Sequence, residues 1–359
     1  MGNGTFVGLD VHARSVVAGL INEATGEVRV VRAPHATGDL VGWIGALPGP
    51  VRAAYEAGPT GYGLARALDQ AGIDCVVAAP SLIPRASGDR IKNDRRDAER
   101  LARLLRAGEL VAVAVPTMAD EGARDLVRAR EDARADLMRA RHRLSKMLLR
   151  YGRVYDKGAW SGAHDLWLRR QRLDEPAAQA TLVDYYDAAL QARLRRDRLD
   201  TAITELAERS DLAPLVGRLS CLRGVSTLTA VGLAVEIGDW HRLSGATIGA
   251  YLGLTPSESQ SGAHRTRGPI TKTGNGHARR LLVEAAWHHR RPRTRSLALE
   301  RRREGCRPEV RARAEAAGAR LHRRWLNLES RRGLRSTIVA VAVARELAGW
   351  CWSLAVMDD

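Results

Sequence analysis

Along residues 5 to 118 the apolar positions switch between a period of two and a period of three to four, the signature of strands alternating with helices. Thr5 to Leu9 and Val16 to Ile21 read as hairpin strands, Val28 to Ala33 as a third strand and Val51 to Glu56 as a fourth. A helix is expected over Tyr62 to Ala71, then an apolar strand at Asp74 to Ala78 and a helix from about Asp94 to Ala107. Leu110 to Val115 reads as a short strand stopped by Pro116. This part is a mixed α/β domain, set at 1–118.

From Asp120 to Tyr151 the pattern turns helical. Leu126, Ala133, Ala140 and Met147 occupy one heptad position and Leu137, Leu144 and Tyr151 the other, interrupted by Arg130. Thr181 to Arg209 repeats apolar residues at three-to-four spacing, so the two stretches are expected to pair as an antiparallel, coiled-coil-like arm over 119–210. Gly152 to Pro176 shows no clear period. The remaining part, 211–359, opens with helix, tight turn and helix: Leu215 to Leu222, Gly224-Val225-Ser226, and Thr227 to Ile237. Such a turn can bring backbone N–H groups close to phosphate, although a plain helical corner has the same pattern. Ile338 to Met357 is apolar, but Arg345 and Glu346 lie in its middle, which favours a buried helix over a membrane span.

Charge placement adds a partner class. The chain has 359 residues, with 57 Lys+Arg against 41 Asp+Glu and a formal net charge of +16. The excess is +1 over 1–118, +3 over 119–210 and +12 over 211–359; residues 261–336 alone hold 21 basic and 6 acidic residues. A field of that sign attracts a polyanion and releases its counterions, which points to nucleic acid. Cys75, Cys221, Cys306 and Cys351 are widely spaced in sequence with no C-x-x-C pair, so neither a disulfide framework nor a zinc ribbon is expected. The N-terminal residues lack signal-peptide features, and a reduced, cytoplasmic setting is the expectation.

Two constellations could carry chemistry. Asp10 ends the opening strand, Glu56 closes another, and Asp94 and Asp97 stand at i and i+3 of one helix, pointing the same way. If that helix meets the strand ends, four carboxylates converge, and their mutual repulsion makes sense mainly around divalent cations, Mg²⁺ or Mn²⁺ for such hard oxygens. Singly, each has an ordinary explanation as a helix cap, turn residue or partner of Arg95, Arg96 or Arg100. The second constellation is the run from Pro256 to Gly262, holding Ser257, Ser259 and Ser261, followed by Gly268 to Asn275. A loop is expected there, and His264, Arg265, Arg267 and Lys272 around it could stabilise a serine alkoxide.

Several ordered blocks together resemble one family: Gly8-Leu9-Asp10-Val11-His12, Tyr55-Glu56-Ala57-Gly58-Pro59-Thr60-Gly61, and Lys92-Asn93-Asp94-Arg95-Arg96-Asp97-Ala98. Further on stand Val235-Glu236-Ile237-Gly238-Asp239, Tyr251-Leu252-Gly253-Leu254, Ser261-Gly262, Ile270-Thr271-Lys272-Thr273-Gly274-Asn275 and Leu282-Val283-Glu284. The chain is similar over almost its whole length to insertion-sequence transposases of the IS-one-ten type, kin to Piv-type DNA invertases. The resemblance implies a ribonuclease-H-like (RuvC-like) domain whose metal ligands are Asp10, Glu56, Asp94 and Asp97, a helical arm, and a mainly helical transposase domain in which Ser261 is the nucleophile. It also implies double-stranded donor and target DNA, a structured guide RNA from the element, and a homo-oligomer, dimer or tetramer. Gln260 stands where the family commonly has a first serine, so the choice among Ser257, Ser259 and Ser261 rests on Gly262. No ATP is expected, since no G-x-x-x-x-G-K-[ST] motif is present. The alternatives are a metal-dependent nuclease or junction resolvase in which water attacks, and a non-enzymatic basic nucleic-acid-binding protein.

Overall fold

The computed structural model describes residues 4–84, 93–261, 264–292 and 296–357, except the side chains of Ser261, His264 and Arg265. The chain divides into two compact units, Met1–Thr117 and Met118–Asp359.

In the first unit, strands β1 (Thr5–His12), β2 (Ser15–Asn22) and β3 (Val28–Ala33) lead into helix α1 (Thr37–Gly45). Strand β4 (Val51–Glu56), helix α2 (Gly63–Gln70), strand β5 (Asp74–Ala78) and helix α3 (Asp94–Ala107) follow. The sheet order is β3-β2-β1-β4-β5. β1 to β3 pair antiparallel, while β1, β4 and β5 are parallel. Alternation along β1 sends Val7 and Leu9 into a core shared with Leu40 and Ile44 of α1 and Leu64 and Leu68 of α2. Gly8 and Asp10 therefore face the other way, toward α3.

That second face is shaped by missing side chains. Gly8 and Gly19 pair across β1 and β2. A Cβ on Gly8 would sit 2.3 Å from the Ala102 nitrogen and the Ala98 oxygen, and one on Gly19 would sit 2.7 Å from the Ala98 carbonyl. Glycine opposite two alanines thus lets the backbone of α3 lie directly on the sheet. Asn93 caps α3, its side chain accepting from the Arg95 N–H at 3.0 Å.

Two local expectations differ from the structure here. β1 continues past Asp10 to His12, because Asp10, Val11 and His12 still pair with Val17, Val16 and Ser15. Leu110 to Val115 forms only a bridge between Ala112 and Ala78, closed by bonds from Ala79 N–H to the Val111 oxygen and from Val113 N–H to the Val77 oxygen. Val111 and Val115 remain exposed, so nothing apolar extends the pairing.

The second unit is mostly helical. Helices α4 (Met118–Arg150), α5 (Gly162–Arg169) and α6 (Pro176–Arg209) come first. Ala123 and Val127 of α4 share a core with Ile203 and Ala207 of α6, whereas Leu144 and Met147 pack with Ala178 and Leu182. The two long helices are therefore antiparallel. Arg130, the break in the heptad pattern, reaches across to Asp200, Nε to Oδ1 at 2.6 Å.

Helices α7 (Ala213–Ser220), α8 (Thr227–Ile237) and α9 (Ile248–Tyr251) lead to strands β6 (Pro256–Ser261) and β7 (His264–Ile270). Helices α10 (Gly276–Ala286), α11 (Leu297–Arg303), α12 (Pro308–Leu326) and α13 (Ser336–Ala355) complete the unit. The turn between α7 and α8 has Gly224 at φ 86°, where a Cβ would lie 2.4 Å from the Ala285 oxygen, and Val225 is fully buried. This turn packs against α10. α13 is long and apolar enough to cross a membrane, yet Val339, Val343, Leu347, Cys351 and Leu354 are buried in the core of this unit. Cys221 and Cys306, distant in sequence, bring their free thiols 2.6 Å apart.

The expected serine loop is instead a hairpin. Ser261 pairs with His264, Ser259 with Thr266 and Glu258 with Arg267. Its described side chains are exposed except for half-buried Ile270, and most are polar, so it lacks the apolar alternation that marks a half-buried strand.

Candidate metal centre

The geometry of the first unit brings the acids of three separate segments to one place. Asp10 rises from β1 on the α3 side, and Asp94 and Asp97 occupy the first turn of α3. Ligand atoms of Asp10, His12 and Asp94 all lie within 4.8 Å of one another. His12 Nε2 is 3.4 Å from Asp10 Oδ1 and 3.9 Å from Asp94 Oδ1. Asp10, His12, Glu56, Asp97 and Arg100 line one cleft of about 400 Å³, closed on another side by Gly58 and Pro59. Asp97 also pairs with Arg100, Oδ1 to Nη1 at 3.4 Å, so it fills an ordinary helix-surface role as well.

Asp10 is the residue whose surroundings are hardest to explain without a ligand. Its carboxylate is 19% exposed, and its Oδ2 is buried with no hydrogen-bond partner among the described residues. Burial pushes its pKa up from the usual carboxylate value; His12 opposes this, while Asp94 and Asp97 add to it. A buried oxygen left unpaired beside two more acids costs free energy that a cation would remove. The carboxylate oxygens also suit a hard divalent ion by donor type. On both grounds the residues fit such an ion.

His12 was not foreseen as a member of this group. The signal was present: in a strand, positions 10 and 12 share a face.

A second buried acid organises the other unit. The Glu236 side chain is fully buried near the end of α8. Arg128 holds it with two bonds, Nε to Oε1 at 3.0 Å and Nη2 to Oε2 at 3.1 Å. Asn275 Nδ2 lies 2.5 Å from Oε2, and His277 Nδ1 lies 3.0 Å from Oε1. Burial alone would raise the Glu236 pKa, but the bonds from His277, Arg128 and Asn275 outweigh it and bring it down to about 2. The same Asn275 caps α10 by accepting from the Ala278 N–H at 2.9 Å. Glu236 thereby ties α4 and α8 to the segment between β7 and α10. An acid inside an otherwise apolar helix was its sequence signal.

The serines sit on the hairpin of this second unit. Ser257 Oγ donates to the Pro269 oxygen at 3.0 Å. Ser261 is the last residue of β6, and its side chain, like Gly262 entirely, lies outside the described residues.

Comparison with known proteins gives two matched spans. Residues 7–152 match the DEDD transposase family of the IS110 type, a span holding Asp10, Glu56, Asp94 and Asp97. Residues 217–299, which hold Glu236, the serines and Asn275, match the family described as "Transposase IS116/IS110/IS902 family". The transposase y4qE of Sinorhizobium fredii is 42% identical over 357 residues, 98% of this chain and 88% of that protein. The chain belongs to the IS116/IS110/IS902 transposase family. A second family relative, the transposase for insertion sequence element IS1533 of Leptospira borgpetersenii, is 34% identical over 91% of this chain and 97% of its own length.

Proposed function

We propose that this family member is a divalent-metal-dependent DNA transposase, working in the cytoplasm, that cuts and rejoins strands through a serine-linked intermediate. Asp10, Glu56, Asp94 and Asp97, on a ribonuclease-H-like sheet and the helix that covers it, would hold Mg²⁺ or Mn²⁺, and the buried Oδ2 of Asp10, without a partner among the described residues, is the observation that carries this. Such ions polarise phosphodiester oxygens and lower the pKa of a bound hydroxyl.

Ser261 is the proposed nucleophile. Its Oγ forms a bond to phosphorus as the bond from phosphorus to the 3′ oxygen breaks, leaving a phosphoserine link and a 3′ hydroxyl that takes up the proton. That hydroxyl later attacks a phosphoserine to rejoin strands. Because the covalent link preserves the phosphodiester, no ATP is required. The exposed, polar hairpin bearing Ser261 supports the reading, since such a ribbon is free to meet a DNA backbone. Guide RNA pairing with donor and target DNA, and assembly as a dimer or tetramer, belong to the same proposal through the family resemblance.

The test is trapping of a denaturation-resistant protein–DNA adduct with Mg²⁺ present or chelated. The adduct is expected to survive Ser259→Ala, to vanish with Ser261→Ala, and to fall at least about 100-fold with Asp10→Asn while DNA binding persists. An adduct that forms without Ser261, or cleaved ends never attached to protein, would contradict it.

A further inference from the structure

At the far end of the α4–α6 hairpin, α5 and the segment before it close a cluster of rings. Tyr155 and His164 have ring centroids 4.6 Å apart, and His164 stacks on Trp167 at 5.6 Å. Trp160 meets the edge of His164 at 5.0 Å. Trp160 is also held at φ 63°, a left-handed backbone conformation that bulky residues rarely adopt. Its N–H donates to His164 Nδ1 at 2.9 Å, and the guanidinium of Arg141 lies 4.7 Å above its ring. Strain of this kind persists where surrounding contacts fix it, often at binding sites.

The held indole forms one wall of a narrow cleft also lined by Arg141, Arg193, Ser161 and Asp165, with Leu137, Leu144 and Leu168 among the apolar residues around it. The charges in it do not cancel. Arg141 and Arg193 form no ion pair with a carboxylate among the described residues. Asp165 is already committed to Arg169 Nε and the Tyr186 hydroxyl, both at 2.9 Å. Asp197, the acid that acts on Arg141, is bound by Arg196. Two like charges converge, beside apolar walls that weaken solvent screening, and neither is neutralised. The water-accessible space is about 30 Å³. That exceeds the roughly 10–15 Å³ one water needs. An inserted oxyanion is the ligand that matches the charge.

We propose that Arg141, Arg193 and Trp160 form a seat for one backbone phosphate of the nucleic acid this transposase handles. The proposal rests on the transposase reading for the identity of the polymer, and on the cleft alone for the phosphate. Arg141, braced by the indole, presents its planar donors, and Arg193 completes the charge.

The experiment is fluorescence anisotropy over a range of salt with a labelled duplex DNA and a labelled RNA hairpin. The full chain is compared with Arg141→Gln, Arg193→Gln and their double variant. Arg150→Gln/Arg172→Gln, at exposed positions of the same unit, removes equal charge outside the cleft. The double variant is expected to weaken binding of at least one polymer about tenfold and to reduce the salt slope by about 0.7–0.9, the loss of one phosphate contact. Arg141→Lys should restore less than half of the loss, whereas a purely structural role would show in the unfolding temperature instead. Equal affinities and slopes in the cleft and control variants, for both polymers, would overturn the seat and leave the adduct assay untouched. If inorganic phosphate raises the melting temperature of the wild type but not of the double variant while polymer binding is unchanged, the site takes free phosphate and the backbone assignment fails. A wild-type chain that binds neither polymer would contradict the transposase reading itself.

Discussion

At Asp10, burial and two neighbouring acids act in one direction and a single imidazole acts in the other. The carboxylate is therefore costly where it stands, and a cation relieves the cost. Removing the charge should stabilise the metal-free protein while abolishing its function. Thermal unfolding in chelator is expected to show Asp10→Asn at least as stable as wild type; a clearly less stable variant would mean that the ionised group is structural.

Glu236 is the opposite case. Its ordinary value is 4.5 and its folded value about 2, so the folded state releases this proton more readily than the unfolded chain. Its contribution to stability is fully present above about pH 4.5 and is lost as pH falls through about 2. Glu236→Gln should remove part of that acid-induced loss and cost about 2 kcal/mol at neutral pH, because Arg128 and His277 lose a charged acceptor. Urea unfolding at pH 7 and pH 3 measures both. A variant whose stability matches wild type at pH 7 would refute the role of this clamp.

At the scale of elements, the position of α3 depends on the contact between two glycines and two alanines. Gly8→Ala forces a methyl group into the backbone of α3, and overpacking of this kind costs about 1–3 kcal/mol. Asp94 and Asp97 would move away from Asp10 with the helix. Calorimetry should then show lower stability and also a loss of the Mg²⁺-dependent rise in melting temperature. Retention of that rise would mean that helix placement does not position the acids.

The elements were legible to different degrees, for physical reasons. Strands β1 to β5 announced themselves as short apolar runs bounded by polar or turn residues, and helices α2 and α3 because each has one buried face, which the sequence must write as a period. The arm did so too, and its one break, Arg130, is explained by Asp200 across the hairpin. α1 was missed because Gly38 and Gly42 dilute its apolar stripe, and α5 because its eight residues bury only His164 and Leu168. The β6–β7 hairpin was read as a loop because a ribbon exposed on both faces has no hydrophobic pattern to display. The candidate ligands Asp10, Glu56, Asp94 and Asp97 could be named from their places at strand ends and a helix start. His12 was passed over because β1 was taken to stop two residues early.

Across the whole molecule, the two matched spans separate two kinds of chemistry along one chain. Acids suited to a divalent ion belong to the first unit. The serine hairpin belongs to the second, whose sequence also carries most of the positive charge. The central claim is that carboxylates far apart in sequence form one site for a divalent cation. Isothermal titration of the full chain with Mn²⁺ tests it most directly, comparing wild type with Asp10→Asn and Asp94→Asn. The account predicts binding by the wild type that weakens at least about tenfold in each variant, in line with the loss of a charged ligand. Equal Mn²⁺ affinity in all three proteins would contradict it.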